Sequence, residues 1–210
     1  MSEHLETEKR ALLDAMLPNV AFDGWSMAAL KAGAESIGMD AGLVSRAFPG
    51  GALEALDFWV RETDRAMIEA YEAREGGALK IRERVALAVM LRFELVAPHR
   101  EAVRRAMTLA MQPHLAPRFL AQLYRTVDAI WYAAGDRSTD FNFYTKRALL
   151  AGVYSSTLLV WLDDKSEDFS VTRAFLLRRI DNVMQIQKAR GKLETLAERL
   201  PNPLRLFKRA

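Results

Sequence analysis

Apolar residues recur at spacings of three and four along nearly the whole chain, the period of helices rather than strands. Prolines, glycines and capping residues divide that pattern into segments. A first helix is predicted over Glu6–Leu17, stopped by Pro18. A short helix follows with Ser26 as N-cap and an end near Gly38, and a third short helix capped by Asp40 runs to Phe48, ahead of Pro49-Gly50-Gly51. Asp23-Gly24 has no alternating strand on either side, so it marks a turn between helices. Longer helices are predicted over Ala52–Glu75, Leu79–Val96, Arg100–Ala110, Pro117–Ala134, Asp140–Leu162 and Val171–Arg190, the last capped by Ser170. Ala148 to Leu162 is apolar almost all round, broken only by Ser155, Ser156 and Thr157, so the central helix is expected there. An apolar cavity or a helix-to-helix dimer interface would each satisfy that pattern.

Composition agrees. Ala and Leu number 60 against 18 Val and Ile, an all-α bias. A chain of 210 residues, half of them hydrophobic and 27% charged, is long enough for one body carrying a small module. The expected division is a helical module at 1–50, a helical body at 51–190 and a tail at 191–210. The chain has no cysteine, which excludes disulfide scaffolds, zinc ribbons, thiol nucleophiles and iron–sulfur clusters and points to a reducing compartment. The longest apolar run, Val85 to Leu91, has seven residues, against the roughly 20 that a membrane-spanning helix needs. Residues 1–10 carry three glutamates and no apolar core, so no signal or transit peptide is read there and a cytoplasmic location is expected.

The net charge of +3 hides a polarity: residues 1–75 carry −7, residues 76–140 carry +4 and residues 141–210 carry +6. This matters because the first fifty residues have the form of a helix-turn-helix, and with the Phe48-Pro49-Gly50 exit they resemble the DNA-binding head of tetracycline-type repressors. The third short helix places Ala41, Leu43, Ser45 and Ala47 where such heads carry donors to phosphates and base edges. Only Lys9, Arg10, Lys31 and Arg46 are basic in this stretch, against seven acids. No nucleic-acid partner is therefore expected, because phosphate neutralisation supplies most of the affinity. The rival reading from another class is a ligand-responsive transcription regulator of the tetracycline-repressor type.

No phosphate-cradling loop, dinucleotide fingerprint, nucleophile elbow or zinc-protease motif is present. His4, His99 and His114 lack a second ligand at helical spacing, so no metal and no cofactor is expected. Asp163-Asp164-Lys165-Ser166-Glu167 has the acidic spacing by which prenyl-diphosphate enzymes hold magnesium, but no second acidic cluster faces it, and a solvated turn is the reading preferred. The chain is accordingly read as a non-enzyme.

The sharpest signal lies between Asp128 and Arg147. Along the helix from Pro117, the residues Leu120, Leu123, Val127, Ile130 and Ala134 form one core-facing stripe. At 100° per residue, Tyr132 falls opposite it, Asp128 on the flank and Trp131 at its edge. An exposed tyrosine beside a tryptophan and an acid has the makings of a protein-binding hot spot, against the alternative that a neighbouring helix covers it. The last twenty residues form a basic amphipathic segment: Leu193, Leu196, Leu200, Leu204 and Phe207 on one face, with Arg199, Arg205 and Lys208 among the cations around them. Such a segment suits reversible attachment to an anionic membrane, the alternative being that it packs on the protein's own body.

The run Asp128-Ala-Ile-Trp-Tyr132-Ala-Ala-Gly-Asp136 through Lys146-Arg147, with Trp161-Leu-Asp163, Asp168-Phe169 and Phe48-Pro-Gly-Gly51, resembles the coenzyme Q biosynthesis accessory family numbered nine, in a bacterial form without a targeting segment. That resemblance implies a tetracycline-repressor-like helical bundle that binds an isoprenoid quinone precursor or a phospholipid. It implies peripheral association with the inner membrane and assistance to a di-iron ring hydroxylase of ubiquinone synthesis, met by Asp128, Trp131 and Tyr132. It also implies a homodimer through the helices Asp140–Leu162 and Val171–Arg190. On this reading Val127, Ile130, Trp131, Leu149 and Val153 are the expected walls of the lipid site.

Overall fold

Pro18, predicted to stop the first helix, lies inside it: α1 spans Ser2–Asp23. The proline forfeits one backbone bond and costs about 3 kcal/mol in a helix interior. Leu12, Leu13, Met16, Leu17 and Val20 around it are all buried, and at about 1.5–3 kcal/mol each their packing outweighs that cost. The Asn19 side chain also donates to the Ala15 carbonyl at 3.2 Å. After the Gly24 turn, where φ is +66°, come α2 (Met27–Ser36) and α3 (Ala41–Ala47). The Ser26 hydroxyl accepts from the Ala29 N–H at 3.2 Å and the Asp40 carboxylate from the Leu43 N–H at 3.0 Å, so both predicted caps are in place. α1 and α2 cross backbone to backbone at Gly33, where a Cβ would lie 2.8 Å from the main chain of Met16.

The body consists of α4 (Gly51–Glu72), α5 (Ile81–Val96), α6 (Arg100–Ala110), α7 (Ala116–Ala133), α8 (Asn142–Asp163) and α9 (Ser170–Arg199), with single 3-10 turns at Ala97–His99 and Glu167–Phe169. This computed structural model describes residues 2–74, 79–136 and 142–199, with side chains for residues 4–74, 79–136 and 144–185, and no strand occurs among them. The all-α reading holds. Predicted and observed helix ends otherwise agree within about four residues, as helix termini allow, except that α9 runs nine residues past the predicted end at Arg190.

The central helix is α5, not α8. α5 packs against α4, α7, α8 and α9, and nearly every residue from Val85 to Phe93 is buried. Arg92 disguises this in the sequence, because its charge is neutralised inside the protein by Asp64 on α4 at 2.7 Å. α8, apolar nearly all round, leaves Tyr144, Ala148, Gly152 and Leu159 exposed along one side. Ser170 is not the cap of α9. Asp164 and Ser166 do that work: the Asp164 carboxylate accepts from the Thr172 N–H at 2.8 Å and the Thr172 hydroxyl at 2.6 Å, and the Ser166 hydroxyl accepts from the Val171 N–H at 3.1 Å.

Candidate functional site

A cavity of about 710 Å³ opens inside the body. Its walls come from Leu56 and Trp59 on α4, Val103 and Met107 on α6, Phe119 and Leu123 on α7, and Leu158 on α8. α6 contributes small side chains, Ala106 and Ala110, at two of the lining positions. That leaves space which a row of leucines would have filled. The end of the cavity lined by Pro113, Ala116, Pro117 and Leu120 is exposed, so the mouth lies at the α6–α7 connection. Leu120, expected to face the core, is 55% exposed at this mouth.

The opposite end is closed and polar. Arg92, Thr126 and Tyr154 line it and all three are buried, and Gln122, one turn before Thr126 on α7, is a buried lining residue between the two ends. Arg92 Nε donates to Asp64 Oδ1 at 2.7 Å and its Nη1 to the Tyr154 hydroxyl at 2.6 Å, while the Thr126 hydroxyl donates to Asp64 Oδ2 at 2.9 Å. Gln122 donates to Asp57, which also accepts from Arg118 at 2.5 Å. Burial alone would lower the Arg92 pKa, but Tyr154 and Asp64 more than offset it and hold the guanidinium charged. Burial pushes the Tyr154 hydroxyl above its ordinary value, so it stays protonated. Sequence reasoning missed this constellation; its one signal was an arginine set between Val85–Leu91 and Phe93.

The segment Asp128–Arg147 forms a second feature. Asp128, its side chain 57% exposed, pairs with the buried Arg147 of α8 at 2.5 Å, and Asp136 pairs with Lys146 at 3.0 Å. The two ion pairs tie the end of α7 to the start of α8. Trp131 is half-buried; its Nε1 donates to the Lys146 carbonyl at 3.4 Å, and Lys146 Nζ sits 5.8 Å from its ring. Tyr132 is 64% exposed, the outward direction expected from helical spacing, and no neighbouring helix of the described residues covers it. The expected lipid walls divide between core and a smaller hollow. Val127 and Ile130 are fully buried and line neither cavity. Trp131, Leu149 and Val153 line a separate cavity of about 220 Å³ between α5, α7, α8 and α9.

On the N-terminal module, α3 exposes Ala41, Gly42, Ser45 and Arg46, whereas Ala47, expected on the reading face, is buried. Lys9 lies 5.8 Å over the Phe48 ring and Arg10 is bonded to Glu62 at 2.6 Å, which leaves Lys31 and Arg46 as outward cations of the first fifty residues. The Asp163–Glu167 turn is not simply solvated. Asp163 is exposed and pairs with Arg104 at 3.1 Å, but Asp164 is buried as the cap described above. Burial would raise the Asp164 carboxyl, yet hydrogen bonds from Ser166 and Thr172 together hold it down at about 2. Its stabilisation is therefore complete above pH about 4 and is lost as pH falls through about 2. Asp164→Asn should cost about 2 kcal/mol at neutral pH and flatten the acid limb of a pH–stability curve; a loss that stays constant down to pH 2 would contradict this role.

No group of three or more His, Asp or Glu side chains suited to a metal occurs among the described residues. His4 pairs with Glu8 at 3.0 Å, and burial holds His99 below the ordinary imidazole value, partly offset by Asp14. Leu193, Leu196 and Arg199 belong to α9, but their side chains, and all of Leu200, Leu204, Arg205, Phe207 and Lys208, lie outside the described residues. No helix among the described residues is long and apolar enough to cross a membrane.

A family model described as COQ9 matches residues 116–187. The chain is 32% identical over 207 residues to the human mitochondrial ubiquinone biosynthesis protein COQ9, covering 94% of this chain and 64% of that protein. It is 33% identical over 211 residues to mitochondrial COQ9-B of Xenopus laevis, covering 94% of this chain and 70% of that one. The Drosophila melanogaster protein of the same name is 34% identical over 187 residues, covering 87% and 57%. The chain thus spans somewhat less than two thirds of the human relative. Its fold matches that of a TetR transcriptional regulator from Nitrosomonas europaea with a TM-score of 0.68 at 21% identity, covering 83% of this chain and 97% of that one.

Proposed function

The chain belongs to the COQ9 family of ubiquinone biosynthesis proteins, and from that premise we propose that it is an accessory lipid carrier: it shelters an isoprenoid quinone intermediate and offers the ring to a membrane-associated hydroxylase. The observation that carries this is the 710 Å³ cavity. Its size falls within the roughly 300–1,000 Å³ usual for small-molecule sites, and its walls are largely hydrocarbon. Moving a prenyl tail from bilayer to such a cavity exchanges one apolar environment for another, so extraction costs little. A tail too long for the cavity leaves through the mouth beside Leu120.

The hydroxylase meets Asp128, Trp131 and Tyr132. An exposed tyrosine beside a half-buried tryptophan supplies large rigid contact area at low entropic cost, and the Arg147 pair fixes Asp128 in place. Residues 191–210 attach reversibly to an anionic membrane. The exposed side of α8, with Val171 and Leu177 exposed on α9, supports a symmetric homodimer; a monomer by sedimentation at micromolar concentration would remove that part.

The deciding experiment is mass spectrometry of lipid carried by the purified protein. Ala106→Trp, which fills the cavity, should lower prenylated lipid at least tenfold with the melting temperature held or raised; undiminished lipid would overturn the carrier reading. In the same preparation Tyr132→Ala should weaken hydroxylase capture while leaving lipid and stability alone, and truncation after Arg190 should abolish flotation with anionic liposomes. Retained capture or retained flotation would remove the corresponding surface from the proposal.

A further inference from the structure

The blind end of the cavity differs from its mouth in a way that sets the direction of the ligand. At the mouth the lining is exposed and apolar; at the closed end Arg92, Thr126 and Tyr154 are each more than nine-tenths buried. Their hydrogen bonds do not exhaust them. The Tyr154 oxygen accepts from Arg92 Nη1 at 2.6 Å, so its own proton needs another acceptor, and none is bonded to it among the described residues. Arg92 spends Nε on Asp64 and Nη1 on Tyr154, while Nη2 has no protein partner among the described residues. Donors that face a cavity without a protein partner are satisfied only by what enters it, water or a ligand atom that accepts from them. We infer that Arg92 and Tyr154 form a head-group subsite for a neutral oxygen acceptor, a quinone carbonyl or a ring ether or phenol oxygen, so that the molecule lies ring inward and tail toward Leu120. The inference rests on the carrier reading above and deepens it.

Charge selects the class of head. Asp64 already balances Arg92 at 2.7 Å, and behind Gln122 Arg118 balances Asp57. Among the described residues Arg92 is the one charged side chain in the cavity lining, and Asp64 neutralises it, so a buried diphosphate or carboxylate would find donors but no uncompensated cation in the wall and would bear an unrecovered desolvation cost. A neutral carbonyl has no such cost. The subsite also lies at the useful end of the molecule. Thr126 and Tyr132 are six residues apart on α7, about 9 Å along its axis, and Arg147 and Tyr154 seven apart on α8, about 10 Å. Ring-inward binding therefore carries the ring toward the end of α7 that bears Trp131 and Tyr132.

Three tail-matched probes test this in titration calorimetry on the full chain: 2-geranyl-1,4-benzoquinone, geranylbenzene and geranyl diphosphate. The wild type should bind the quinone at least tenfold more tightly than geranylbenzene, and the diphosphate should compete with neither. Tyr154→Phe should cut quinone affinity several-fold and leave geranylbenzene unchanged. Because Arg92→Met alone leaves Asp64 buried and unpaired, the second variant is the double exchange Asp64→Leu with Arg92→Met. It should bind geranylbenzene as the wild type does and lose the quinone preference. Equal wild-type affinity for quinone and geranylbenzene, survival of the preference in the double variant, or tighter binding of the diphosphate would each overturn the subsite. A wild type that binds none of the three would instead overturn the carrier reading beneath it.

Discussion

Asp64→Leu should destabilise the protein by about 3–5 kcal/mol, the usual loss when one partner of a buried ion pair is removed. Asp64 accepts from Arg92 at 2.7 Å and from the Thr126 hydroxyl at 2.9 Å. Leucine would strand a guanidinium that lies almost wholly inside the protein. At about 2–4 °C per kcal/mol for a domain of this size, the melting temperature should fall by about 6–20 °C. Adding Arg92→Met should recover most of the loss, because an apolar pair of similar volume is often as stable as the ions it replaces. Urea unfolding of the single and double variants measures both. A single variant within 1 kcal/mol of the wild type, or a double variant no better than the single, would show that the pair does not hold α4 to α5 as described.

Trp161→Ala should cost a similar amount, about 3–5 kcal/mol, by opening a large void in a fully buried position. The Trp161 ring stacks on Phe93 of α5 with centroids 5.3 Å apart and planes at 19°, meets the Phe169 ring edge-on at 6.2 Å and is covered by the Arg100 guanidinium at 4.8 Å. It therefore joins α5, the start of α6, α8 and the turn before α9. Its Nε1 is buried without a hydrogen-bond partner among the described residues. That defect makes phenylalanine the telling comparison. Trp161→Phe loses volume but also removes an unsatisfied donor worth about 1–3 kcal/mol, so it should cost well under half of what alanine costs. Equal losses in calorimetry for the two variants would mean that the indole N–H has a partner after all.

How much of this was legible beforehand follows from the range of the interactions concerned. Ser26 and Asp40 act on backbone amides three residues away, so their caps could be read from sequence directly. Tyr132 was legible as outward-facing because the helical period fixes direction, and Leu120 misled because direction does not say what stands opposite. Ala106 and Ala110 of α6 line the same cavity as Leu120, and the distance across a cavity has no periodic signature. The same limit explains Val127 and Ile130, which point inward as expected but meet solid packing. Pro18 obeyed its neighbours rather than its own preference, since a local rule yields to five buried side chains. The placement of the centre at α5 depended on a pair 28 residues apart, Asp64 and Arg92, and only a three-dimensional arrangement reveals that the arginine belongs inside. The run from Asp128 to Arg147 is distinctive in the sequence as a pattern alone; its physical basis, two ion pairs that tie the end of α7 to the start of α8, belongs to the three-dimensional arrangement.

The N-terminal module is fastened to one wall of the cavity. Trp25 packs on Trp59, itself a lining residue, with centroids 5.3 Å apart, and donates through Nε1 to the Ala102 carbonyl of α6 at 2.9 Å; Arg105 reaches back to the Ala21 carbonyl at 3.1 Å. In engineering terms the first forty-seven residues are a buttress, and the chamber they brace would lose its outer support if they were cut away. A head of repressor shape is then worth keeping for what it props up, whatever its α3 touches.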